Sequence, residues 1–162
     1  MTTVLIVDAA LRVATDLALG LSEACRGMVE EGNPIEVTAL GQFSTARSRL
    51  KESQPALLVT ALQLRQYNGL HLVYVAAEAR LTTRCVVHTD TVDPLYAREI
   101  RAVGAFYETR ARLPRALPTY VNALLPPRDR REILPFDRRH LPRGGRRAAD
   151  WLPAVSASPL GS

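Results

Sequence analysis

Three polar side chains of this 162-residue chain each follow a short apolar run, and they are the groups that could do chemistry. Asp8 follows Val4-Leu5-Ile6-Val7, Thr89 follows Arg84 to His88, and Arg110 follows Ala105 to Thr109. A hydroxyl and a guanidinium at strand ends could hold a phosphate or a small metabolite, and Asp8 and Arg110 could instead pair with each other. Two of them also have a plainer reading: Thr89 as a strand-terminal threonine, and Asp8 as a carboxylate at the positive end of the helix that follows it. A further run, Pro55 to Ala61, ends in a methyl group that offers no chemistry at all. Asp90 and Asp93 read as solvent-facing turn carboxylates. His71, His88 and His140 share no ligand spacing, and Cys25 and Cys85 read as reduced core residues, so no metal site is expected. Asp8-Ala9-Ala10-Leu11 lacks the glycines of a phosphate loop, which argues against a flavodoxin-like enzyme binding a nucleotide or flavin.

The elements that must position these residues alternate short apolar runs with longer stretches of helical period. That is the signature of an α/β fold, a five-stranded parallel, doubly wound sheet of flavodoxin-like type. Strands are expected at Val4 to Val7, Ile35 to Ala39, Ala56 to Ala61, Arg84 to His88 and Ala105 to Thr109. Leu11, Leu17, Leu21 and Met28 put a first helix between Leu11 and about Glu31, stopped by Gly32-Asn33-Pro34. Ser44 is read as the N-cap of the second helix, Asn68-Gly69 as the turn launching the third, and Pro94 as the opening of the fourth. The fifth helix is expected between about Arg115 and Leu125, with Pro118 in its first turn. In such a sheet the working residues lie at the carboxyl ends of the strands.

Read in that order, the chain over roughly Thr3 to Leu125 resembles the response-regulator receiver domains of two-component phosphorelay signalling, the CheY-like fold. The resemblance rests on Val4-Leu5-Ile6-Val7-Asp8, Asn68-Gly69-Leu70, Thr89, and Gly104-Ala105 followed by Phe106-Tyr107 and Arg110. It implies an acidic pair after the first strand for magnesium, an acceptor aspartate ending the third, a hydroxyl ending the fourth and a lysine after the fifth. Asp8 matches the first acid, but Ala9 stands at the second, Ala61 at the acceptor, and Arg110 in place of the lysine. Thr89 matches the hydroxyl, and Tyr107 matches the aromatic that turns on activation. A methyl group cannot form an acyl phosphate, and one carboxylate is too little for magnesium, so the resemblance implies a degenerate pseudo-receiver with no catalytic residue, metal or cofactor.

Composition divides the chain again. Met1 to Leu125 hold 13 Lys and Arg against 12 Asp and Glu, whereas Pro126 to Ser162 hold 8 against 4. The expected organisation is a receiver-like domain over 1–125 and a Pro/Arg-rich, disordered tail over 126–162. Within the tail, Phe136 and Trp151 are candidate anchors for a docking motif. The partner expected is a signalling protein, with a homodimer through residues 94–125, and any nucleic-acid binding would be non-specific. No apolar run reaches the length of a membrane span, and a cytoplasmic location is expected.

Overall fold

The computed structural model describes residues 1–26 and 34–122. Five strands form one sheet: β1 (Thr2–Val7), β2 (Ile35–Leu40), β3 (Leu57–Ala61), β6 (Arg84–Thr89) and β7 (Phe106–Thr109). Their order is β2-β1-β3-β6-β7, and every pairing is parallel. Between β3 and the third helix lies a small antiparallel ribbon, β4 (Gln63–Leu64) and β5 (Tyr67–Asn68), which the sequence pattern did not announce. The helices are α1 (Leu11–Ala24), α2 (Phe43–Ser53), α3 (Leu70–Glu78), α4 (Pro94–Ala102) and α5 (Leu113–Asn122).

The sheet is doubly wound, and its strand order reverses between β1 and β3. Parallel strands covered by helices on both faces bury every side chain, which explains why β3 reads as an unbroken apolar run and is buried along its whole length. Alternation then sorts the residues into two layers. Leu5, Val7, Leu58 and Val87 pack with Leu50 of α2, Leu72 of α3 and Ile100 of α4. Val4, Ile6, Val59 and Val86 pack with Leu17 and Leu21 of α1 and Leu117 and Tyr120 of α5.

Several boundaries differ from expectation. α2 begins at Phe43 with Gln42 at its cap, so Ser44 lies inside the first turn and provides no side-chain cap. α5 begins at Leu113, which places Pro118 in its interior. A proline there forfeits the bond to the Pro114 carbonyl at a cost of about 3 kcal/mol, offset by burying Leu113, Leu117 and Tyr120 against the sheet. α4 does open on Pro94, capped by Asp93, whose Oδ1 accepts from the Leu95 and Tyr96 amides at 2.9 and 3.2 Å. Met28 and the Gly32-Asn33 stop lie outside the described residues, as do His140, Phe136, Trp151 and the whole 126–162 segment. Among the described residues no helix is long and apolar enough to cross a membrane.

Candidate functional site

The carboxyl edge of the sheet opens into a cleft of about 370 Å³ at the strand-order reversal. Asp8, Ala9, Ala61, Thr89 and Arg110 all line it. Each stands at or just beyond the carboxyl end of a strand, so the parallel sheet alone gathers residues spread over a hundred positions. Gly69 shapes the floor. Its backbone lies so close to the end of β3 that a Cβ would strike the Ala61 carbonyl oxygen, and its amide donates to Leu62 O at 2.7 Å. Only glycine allows this approach.

Asp8 is 2% exposed, and both its carboxylate oxygens are engaged. Oδ1 accepts from the Ala10 amide at 2.9 Å, at the entry to α1. Oδ2 accepts from Arg110 Nη2 at 3.2 Å. The plainer role as a helix-entry carboxylate and the ion pair are therefore both present in one side chain. Arg110 is also shared: its Nε lies 3.0 Å from Asp90 Oδ1, near enough for charge pairing although not aligned as a hydrogen bond. Asp90 and Asp93 are thus more than solvent-facing turn carboxylates, one lying against Arg110 and the other capping α4.

His88 is the residue that sequence reasoning missed. Its Cα is in register with Ala61 on one side and Glu108 on the other, and its side chain is wholly buried. Nε2 lies 3.6 Å from Asp8 Oδ2, too far for a direct hydrogen bond, and neither ring nitrogen has a partner. Burial lowers its pKa to about 4, against the pull of Asp8 upward, so the ring is neutral at pH 7. The spacing of the histidines along the chain gives no sign of it. The available signal was a titratable ring at the end of an otherwise apolar central strand, at the edge where the site had to be.

Thr89, on the other side of the cleft, is bonded to Tyr107. Thr89 Oγ1 lies 2.7 Å from Thr91 O and 2.8 Å from Tyr107 Oη. Tyr107 Oη accepts from the Asp93 amide at 3.0 Å. Tyr107 Oη also lies 3.3 Å from Thr91 O, so one of the two hydroxyls donates to that carbonyl and the other donates within the pair. The Arg101 guanidinium lies 6.0 Å over the Tyr107 ring. Tyr107 is thereby tied to the loop after β6, half-buried rather than swung free.

The site does not suit magnesium. Of the three carboxylates the receiver resemblance implies, only Asp8 is present, its Oδ2 faces Arg110, and Ala9 and Ala61 offer no oxygen in their place. Among the described residues no three His, Cys, Asp or Glu side chains converge to hold a metal ion.

Solved structures with this architecture are numerous. The receiver domain of Francisella response regulator 1452 superposes with a TM-score of 0.63 at 16% identity, covering 75% of this chain and 94% of its own. Vibrio cholerae chemotaxis protein CheY4 gives a TM-score of 0.60 at 20% identity, covering 77% and 99%. A DNA-binding response regulator of the LuxR family from Staphylococcus aureus gives 0.61 at 14% identity, covering 75% and 97%. The chain has the CheY-like receiver fold. No protein-family model matches the sequence, and no curated protein matches it. The receiver fold is therefore recognisable in the backbone while the sequence has moved far from the structures that share it.

Proposed function

We propose that this chain is an atypical receiver that acts in two-component signalling by binding protein partners, without being phosphorylated and without catalysing a reaction. The observation that carries the reading is the methyl group of Ala61 at the end of β3, beside an Asp8 already paired with Arg110. An acyl phosphate needs a carboxylate nucleophile, and its formation needs cations free to neutralise the transferring oxygens. Here position 61 carries no carboxylate, and the one cation in the cleft among the described residues is shared between Asp8 and Asp90. Arg110 also presents a planar fork where the receiver pattern has the point charge of a lysine, and the two are not equivalent.

On this reading residues 1–125 are the receiver-like domain and 126–162 a basic tail, in a cytoplasmic protein. Its partner is another signalling protein, met through the surface from Pro94 to Leu125 with Tyr107 near the centre, which can also pair two copies. The test is an NMR titration of the full chain with magnesium followed by beryllofluoride, a mimic of aspartyl phosphate. Amide signals of Asp8, Thr89 and Arg110 are expected not to move. Saturable shifts there, spreading to Tyr107, would overturn the reading.

A further inference from the structure

The cleft holds one buried group, the His88 ring, that neither the fold nor the proposed function uses. Three carboxylates line it, Asp8, Asp90 and Asp93, against the single guanidinium of Arg110. Arg110 is divided between two of them, so the surplus is negative and a phosphate entering the cleft would meet more repulsion than attraction. Beside these acids sits His88, fully buried, with both ring nitrogens lacking a partner. A buried polar group of this kind costs free energy unless something satisfies it. Because the ring is neutral, one nitrogen offers a lone pair and the other a proton. Nε2 lies 3.6 Å from Asp8 Oδ2, the oxygen that Arg110 Nη2 holds at 3.2 Å, so an N–H donor that reaches both takes the place of Arg110 there. Ala9, Ala61, Leu62 and Tyr96 supply apolar wall for a methylene stem.

We propose that this cleft binds an alkylguanidinium or alkylammonium group, its head between Asp8, Asp90 and the His88 ring and its stem against Ala61 and Leu62. Asp90 is the entry contact, since its side chain is 71% exposed and its pairing with Arg110 is not a formed hydrogen bond. The inference stands apart from the proposal on phosphorylation, because a silent acceptor position and a cation site fail independently. The same chemistry is carried by a free polyamine-like molecule and by an arginine or lysine side chain of a protein partner.

The experiment is an NMR titration of the full chain, following backbone amides and the His88 ring, with four probes: agmatine, a blocked Gly-Arg-Gly peptide, inorganic phosphate and magnesium. Saturable shifts at Ala61, His88, Thr89 and Asp90 are expected from agmatine or the peptide. Tighter binding of agmatine points to a free molecule, and tighter binding of the peptide to a partner's side chain. Asp90→Asn, at an exposed position whose fold is checked by its amide spectrum, should weaken the better probe at least fivefold. Absence of saturation by both cations, tighter binding of phosphate or magnesium at the same residues, or unchanged affinity in Asp90→Asn would each overturn the proposal.

Discussion

The two halves of the cleft differ in how their polar groups are satisfied. On the β6–β7 side, Thr89, Tyr107 and Asp93 form a network in which every hydroxyl and amide has a partner. On the β1–β3 side, the Ala9 and Ala61 side chains carry no polar group and Asp8 leans on a distant arginine. The His88 ring, which reaches from β6 to within 3.6 Å of Asp8, has no hydrogen bond at either nitrogen. The difference teaches that the hydroxyl and aromatic residues have a structural use in bonding one another and the loop after β6, whereas the groups near Asp8 lean on a single arginine.

The most damaging way to test the charged half is to remove Arg110. Asp8 is 2% exposed, and Arg110→Ala would leave it buried beside a neutral ring. Because Arg110 itself is 40% exposed, the loss falls short of that for a fully buried pair, and about 2 to 3 kcal/mol is expected from urea unfolding. Asp8→Ala should cost less, about 1 to 2 kcal/mol, since the freed guanidinium keeps Asp90 and water while the Ala10 amide loses its acceptor. An Asp8→Ala cost no larger than that of a surface substitution would show that the pair holds nothing in place.

Placing a carboxylate at the end of β3 should sharpen the contrast. Ala61→Asp puts a carboxylate among buried neighbours, in register with His88. We expect the variant to lose about 2 kcal/mol and to remain unmodified by acetyl phosphate on intact-mass analysis, because Ala9 still withholds the second magnesium ligand. A mass gain of one phosphoryl group would show that the acceptor carboxylate was the only part missing.

His88 gives the same half a dependence on pH. Its folded pKa of about 4 lies below the ordinary 6.5, so between those values the unfolded chain binds the extra proton. Stability is therefore full above about pH 6.5 and declines as pH falls toward 4. At pH 5 the His88 contribution should be about 2 kcal/mol lower than at pH 7. Urea unfolding of the parent chain and of His88→Leu at both values isolates it, and an identical drop in the two proteins would assign the effect elsewhere.

Most of this architecture is legible in the sequence, for reasons that also explain what was not. Continuous runs such as Leu57 to Ala61 announce strands buried on both faces, and once the strands are ordered the sheet itself brings Asp8, Ala61, Thr89 and Arg110 to one edge. Pairings between elements are another matter. That Asp90 turns toward Arg110 depends on the path of one loop, and that Pro118 sits inside α5 depends on how strongly Leu113 and Tyr120 pack. His88 was hidden because its role comes from its lateral neighbours in the sheet, and lateral neighbours are remote in sequence.

The smallest effect belongs to the satisfied half. Tyr107→Phe removes one hydroxyl that is bonded to Thr89 Oγ1 and accepts from the Asp93 amide. The site is half-buried and water can replace part of what is lost, so about 1 kcal/mol is expected. The informative readout is local. Amide exchange at Asp93 should accelerate while that at Val87, in the middle of β6, stays unchanged, because the phenol ties the loop to β7 without holding the sheet together. If the whole of β6 exchanged faster, the network would be a support of the sheet itself, and the two halves of the cleft would differ less than their hydrogen bonds indicate.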